Sequence, residues 1–341
     1  MSLKKLLSTA ALVLPMSSAH VQAGNSVQIL DSRAEQLLAS DASIQLLGTG
    51  YAWTEGPLWI PENGERQTGS GYLLFSDIPN NVIHRYQPGE GVSVFLTESG
   101  ASGLKPGDSS QGSNGLLLNE DGQLVLFQHG DRRVAIMDAA LDQPASRFIT
   151  LVDAYQSQRL NSPNDGVFSR SGDLYFTDPP YGLANGLTDP NRELTFQGVY
   201  HLSSSRELTL LDDQVTAPNG IALSLDERTL FVAVSDEENP HWLAYDLSTD
   251  GSVSNKRLFH DANEAAMNEP GLPDGMAVHS SGHIFATGPG GVWLFSETGE
   301  LLARILTGRP TANCTLAGDE SVLYITANDA LLALPLLRQS P

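Results

Sequence analysis

The feature that most constrains this chain is an internal repeat, because a repeat fixes architecture before any single residue does. A small polar residue heads a short apolar strand, an Asp-Gly-like turn follows, and a second apolar strand closes the unit. Asn114-Gly115 leads Leu116 to Leu118 through Asp121-Gly122 to Leu124 to Phe127, and Asn164-Asp165-Gly166 leads through Ser171-Gly172 to Leu174 to Asp178. Asn219-Gly220 runs through Asp226-Glu227 to Leu230 to Val234, and Asp274-Gly275 through Ser281-Gly282 to Ile284 to Thr287. Looser copies start at Glu55-Gly56 and Asn313-Cys314. Six copies spaced by roughly 40 to 60 residues match blades of four strands, whereas a solenoid would repeat at a shorter period or with helices. The expected fold is therefore all-β, a six-bladed β-propeller. Helical periodicity is confined to short pieces near Ser32 to Ala39 and Asp261 to Met267. Closure is expected to pair the segment Ser43 to Leu47 with the last blade near Leu331 to Leu336.

The first residues read as an export signal: Lys4 and Lys5 precede an apolar stretch from Leu6 to Met16, and Val21-Gln22-Ala23 forms a small-residue cleavage site. Residues 1–23 are expected to be a leader and 24–341 one propeller domain, soluble and exported to the periplasm or beyond. The net charge of −21 becomes −23 without the leader, because the 19 basic residues fall to 17 while all 40 acidic residues remain. Such a surface is a poor partner for nucleic acid or anionic membrane. Cys314 is the only cysteine, so no intramolecular disulfide is possible, and it reads as a small packed residue.

The repeat carries a geometric expectation: Glu55, Asn114, Asn164, Asn219, Asp274 and Asn313, each heading a blade, should converge at one mouth of the channel. Bunched carboxylates repel and buried amides need partners, and a hard divalent cation resolves both problems with oxygen ligands alone. Ca²⁺ suits that donor set, with Mg²⁺, Mn²⁺ or Zn²⁺ as alternatives. Taken singly, each Asn-Gly or Asp-Gly is an ordinary turn, and a cation that merely plugs the channel is an equal reading of the same residues. Asp77, Asp178 and Asp236 recur just after the second strands and read first as hydrogen-bond acceptors at turns. His129 is either a hydrogen-bonded structural histidine beside Arg132 and Arg133 or a substrate contact. No Gly-x-Ser-x-Gly elbow and no phosphate loop are present.

Eight segments in order along the chain resemble the SMP-30/gluconolactonase/regucalcin-like propellers. They are Thr54-Glu55-Gly56-Pro57-Leu58-Trp59, Phe75-Ser76-Asp77-Ile78-Pro79-Asn80-Asn81, His129-Gly130-Asp131-Arg132-Arg133-Val134 and Leu160-Asn161-Ser162-Pro163-Asn164-Asp165-Gly166. Phe176-Thr177-Asp178-Pro179-Pro180-Tyr181-Gly182, Ala217-Pro218-Asn219-Gly220, Leu272-Pro273-Asp274-Gly275-Met276 and Thr287-Gly288-Pro289-Gly290-Gly291-Val292-Trp293 complete the set. The Pro-Pro-Tyr-Gly and Gly-Pro-Gly-Gly-Val-Trp versions look like the bacterial gluconolactonase branch. The resemblance implies a divalent cation held by Glu55, Asn164, Asn219 and Asp274, with Asp274 also the acid/base. Asn114, His129, Asp178 and Tyr181 are candidate substrate contacts. One departure stands out: animal members place an Arg before Phe-Asn-Asp-Gly, and this chain has Ser162 before Pro163. The implied function is metal-dependent opening of a small sugar lactone, most simply D-glucono-1,5-lactone. A broader esterase or organophosphate hydrolase and a non-catalytic ligand-binding propeller remain alternatives, and the oligomeric state stays open.

Overall fold

The structure, a computed structural model, describes residues 26–62, 69–103 and 109–338. The expected leader lies outside the described residues. Six four-stranded antiparallel units, blades I to VI, follow one another in the chain. Blade I comprises Thr54–Pro61, Gly71–Asp77, Val82–Gln87 and Gly91–Thr97, and blade II Ser113–Leu118, Leu124–Gln128, Arg133–Met137 and Phe148–Val152. Blade III is built from Gly166–Phe168, Leu174–Asp178, Gly198–Leu202 and Leu208–Asp212, and blade IV from Pro218–Leu223, Thr229–Val234, His241–Leu247 and Val253–Asp261. Blade V holds Met276–Val278, Ile284–Gly288, Gly291–Phe295 and Leu301–Leu306, and blade VI Asn313–Leu316, Val322–Ala327 and Ala330–Pro335.

The fourth strand of blade VI comes from the other end of the chain. Gln45–Thr49 pairs antiparallel with Ala330–Pro335, Gln45 opposite Ala333 and Thr49 opposite Ala330, so the ring closes as expected with the N-terminal strand two residues later than anticipated. Val27–Ile29 adds an unforeseen fifth strand to blade V, Val27 opposite Ile305. Three residues are too few for a period-2 pattern to be read. The two short helical pieces are a 3₁₀ turn at Ser32–Gln36 and one helical turn at Asn263–Ala266. Among the described residues no helix is long and apolar enough to cross a membrane.

Each interface between neighbouring blades has its own apolar cluster. Leu74 and Ile83 of blade I meet Leu116 and Leu126 of blade II, Phe127 meets Phe176 between II and III, and Trp59 stacks on Tyr324 at 5.5 Å where blade I meets blade VI. Alternation makes this possible, because successive side chains of a strand face opposite neighbours. Phe231 and Ala233 of blade IV face blade V, while Leu230 and Val232, alternating with them, face blade III. Cys314 is fully packed between blades V and VI, and burial pushes its thiol well up, as expected of an inert core residue.

A polar staple recurs at the axial end of the second strands. Ser76 Oγ donates to Asn114 O at 2.8 Å, Thr177 Oγ1 to Asn219 O at 2.7 Å and Thr287 Oγ1 to Ala312 O at 2.8 Å. Each hydroxyl ties its blade to the head of the next first strand, and so sets where the heading residues sit.

Candidate active site

The first strands approach one another closely at their heads, and glycine follows the heading residue at Glu55, Asn114, Asn219 and Asp274. A Cβ on Gly220 would lie 2.2 Å from Asp274 O, and one on Gly275 1.9 Å from the side chain of Asn313. The Asn-Gly and Asp-Gly pairs of the repeat therefore exist for close approach rather than for turns.

Above these heads lies a cavity of about 750 Å³ whose floor includes Glu55, Asn114, Asn164, Asn219 and Asp274. Asn313, the sixth residue of the expected ring, is not there. The backbone explains why: the N–H of Asn164 donates to Thr177 O at 2.9 Å, that of Asp274 to Thr287 O at 3.0 Å and that of Ala312 to Thr326 O at 2.9 Å. Ala312 is thus the equivalent of Asn164 and Asp274 in blade VI, and Asn313 sits one residue further on. A slip of one residue along a strand turns the side chain elsewhere. Asn313 instead lines a second cavity, about 280 Å³, further along the axis, together with Asp165. Asp165 was not among the expected site residues. Desolvation in the channel pushes it up to about 6, against hydrogen bonds from the N–H of Gly166 and the amide of Asn313.

The three amides on the floor are hydrogen-bonded in sequence: Asn114 Nδ2 donates to Asn164 Oδ1 at 2.5 Å, and Asn164 Nδ2 to Asn219 Oδ1 at 2.5 Å. Asn219 Nδ2 donates onward to Ser235 Oγ at 2.9 Å. Asn114 Oδ1 is buried with no partner. The two carboxylates are partly satisfied: the Asn313 amide and Trp53 hydrogen-bond Glu55, and the N–H of Gly275 reaches Asp274. Glu55 is 3% exposed and accepts the N–H of Gly56 at 3.0 Å. Desolvation raises both, and they are coupled: Asp274 is held well above the usual carboxylate range by desolvation and then by the charges of Glu55 and Asp165. No Lys or Arg lines the cavity among the described residues.

His129 is buried on the cavity wall, its Nε2 3.3 Å from Asn164 Oδ1 and its Nδ1 3.3 Å from Gln111 Oε1. Burial lowers it to about 4, so the imidazole is neutral near pH 7. Tyr181 is 37% exposed at the mouth, and its hydroxyl donates to Ala217 O at 3.3 Å. Asp178 stands apart from the cavity. Its carboxylate accepts the N–H groups of Asn161 at 2.7 Å and Ser162 at 2.8 Å, the acceptor role first read for the recurrent aspartates. Ser162, at the position of the family departure, is also fully buried; its Oγ donates to Pro179 O at 2.6 Å and accepts from Gly182 N at 2.8 Å, so it holds the loop that presents Tyr181. Trp53, Gln111, Ser235, Glu237 and Glu269 complete the polar and aromatic wall and carried no distinguishing sequence signal.

The donor set fits a hard cation. Its donors are oxygens, from two carboxylates that desolvation and neighbouring negative charge hold above the ordinary carboxylate range and from an orphaned amide oxygen. No group of three or more His, Cys, Asp or Glu is arranged for a metal among the described residues, so such a site depends on the amides.

A family model described as the SMP-30/gluconolactonase/LRE-like region matches residues 53–329. The chain is 36% identical to a gluconolactonase of Zymomonas mobilis over 302 residues, 87% of this chain and 82% of that protein. It is 26% identical to a pentonolactonase of Haloferax volcanii over 246 residues, 71% of this chain and 68% of that protein. The solved structure of a gluconolactonase from Xanthomonas campestris matches with a TM-score of 0.75 at 30% identity, covering 91% of this chain and 94% of that one.

Proposed function

This chain belongs to the SMP-30/gluconolactonase/LRE-like family, and from that premise we propose that it is a metal-dependent lactonase opening a sugar lactone, D-glucono-1,5-lactone first among them. The observation that carries the reading is the floor of the cavity: Glu55 and Asp274 bunched with Asn114, Asn164 and Asn219, beneath a space lined by no Lys or Arg among the described residues. A neutral, polyhydroxylated ring suits such a space, where no Lys or Arg among the described residues offers an anionic substrate a partner.

Glu55, Asn164, Asn219 and Asp274 would hold the cation, Ca²⁺ by donor type, with Mg²⁺, Mn²⁺ or Zn²⁺ as alternatives. When bound, such a cation polarises a carbonyl and offsets the charge that develops on its oxygen. Asp274 takes a proton from the attacking water as the new C–O bond forms, and returns one to the ring oxygen as the lactone C–O bond breaks. The products are a carboxylic acid and the freed hydroxyl, so each turnover releases acid. His129, neutral in its buried position, keeps Nε2 toward Asn164, and Tyr181 offers a hydroxyl to the sugar at the mouth. With residues 1–23 read as an export leader, the proposed site of this chemistry is the periplasm or beyond.

Initial rates on glucono-1,5-lactone, a pentonolactone, an aryl ester and a phosphotriester test the substrate class. The sugar lactones are expected to lead by kcat/KM. A phosphotriester or aryl ester turned over faster assigns a broader esterase, and no turnover of any leaves only a binding propeller.

A further inference from the structure

An asparagine can present either oxygen or nitrogen to a neighbour, and only an acceptor or donor of fixed identity decides which. At this site the fixed point is Ser235, the residue after the second strand of blade IV. Its hydroxyl donates to Pro273 O at 2.6 Å. A carbonyl can only accept, and a serine hydroxyl has one proton, so toward Asn219 the same oxygen must accept. Asn219 therefore turns Nδ2 to Ser235, 2.9 Å away, and Oδ1 toward Asn164. Asn164 in turn must offer Nδ2 to that oxygen, and its own Oδ1 faces Asn114 Nδ2. The wire ends at Asn114 Oδ1, buried with both lone pairs unused. The amides thus run in one sense around the floor, ending at the carbonyl of Pro273, the residue before Asp274.

We infer that Ser235 is a positioning residue that sets the polarity of this amide wire, so that Asn219 and Asn164 present oxygen to a divalent cation. The inference rests on the cation reading above. Without the hydroxyl, the Asn219 amide has no fixed acceptor and can reverse, and a reversed amide points N–H groups at a positive charge. Ser235 also hydrogen-bonds Tyr181, a contact that alanine removes and threonine keeps, but Tyr181 is not among the residues that would hold the cation.

The test is calorimetric titration of the chelator-stripped full chain with CaCl₂, for wild type, Ser235→Ala and Ser235→Thr, with the melting temperature of each in EDTA. Losing a partner that orients a ligand weakens metal binding by about 10- to 100-fold. Ser235→Ala is expected to fall in that range while its EDTA melting temperature stays close to wild type, and Ser235→Thr, which keeps the hydroxyl, to return to within about threefold. Ser235→Cys, near in size but a poor acceptor, carries the expectation of Ser235→Ala if the alanine variant does not fold. Equal affinity in wild type and Ser235→Ala overturns the inference and leaves the cation reading standing. A wild type that binds neither Ca²⁺ nor Mg²⁺ nor Mn²⁺ removes both.

Discussion

The interfaces between blades and the polar floor of the channel are built from the same strands a few residues apart, and they obey opposite rules. Glu55 belongs to the floor and Trp59, four residues on, stacks against Tyr324 of blade VI. Asn219 heads blade IV, and Ile221 packs toward blade III. The interfaces are apolar almost throughout: side chains from adjacent blades fill each one, the burial of Leu74, Phe176 and Phe285 is total, and the few polar atoms left without a partner there, Trp59 Nε1, Tyr200 Oη and Trp242 Nε1, belong to uncharged aromatic side chains. The floor is not apolar: desolvation and neighbouring negative charge raise both of its carboxylates, and one amide oxygen has no partner. Burial alone is not the cause. Burial works against ionisation at Asp77 too, but hydrogen bonds from His84 and Asn80 and from the N–H groups of Trp53 and Ala52 outweigh it and lower its pKa. Raised carboxylates gathered with an unpartnered amide oxygen on the floor of one cavity mark where a ligand supplies the missing interaction.

That division makes separable demands on variants. Asp274→Asn removes the proton acceptor while keeping size and an oxygen donor, so kcat should fall by about 10²- to 10⁴-fold with the fold intact by circular dichroism. An interface change should do the reverse. Leu74→Ala is expected to cost about 2–5 kcal/mol in denaturant unfolding, with kcat of the folded fraction within twofold of wild type. A large loss of kcat there would break the division.

Two smaller effects sharpen it. In the cation-free chain the folded state holds protons on Glu55 and Asp274 more tightly than the unfolded state does, so stability falls as pH rises from the ordinary carboxylate range toward the raised values. Calcium needs the ionised pair, so the melting-temperature gain it gives should grow from about pH 5 to about pH 8. Glu55→Gln should raise the cation-free melting temperature at about pH 8, by the equivalent of about 1 kcal/mol, and cancel most of the gain from calcium. Smallest of all, Tyr181→Phe deletes one hydroxyl at the mouth and should raise KM about fivefold with kcat unchanged.

Sequence pattern exposed the six blades because each unit pairs a period-2 apolar run with a turn, and it exposed Glu55, Asn164, Asn219 and Asp274 as positions that the fold gathers on one floor. It misplaced Asn313, since a repeat read by eye tolerates a one-residue slip that a backbone ladder does not: the hydrogen bond to Thr326 assigns the equivalent place to Ala312. Asp165 was hidden by its neighbour Asn164, because two adjacent polar residues give no sign of which side chain faces which cavity. Ser235 looked like any serine after a strand, and its role depends on the direction of a single proton. Tyr181 was foreseen at the channel mouth, where it lies, while Asp178, named beside it, is occupied by backbone N–H groups.

The most direct test of the central claim is the rate of acid release from glucono-1,5-lactone by the purified chain, before and after EDTA and again after Ca²⁺, Mg²⁺, Mn²⁺ or Zn²⁺ is restored separately. If the channel floor is built around a catalytic cation, chelation stops hydrolysis and one of these metals, Ca²⁺ first, restores it. Undiminished turnover by a chain shown to be free of metal after chelation would contradict that account.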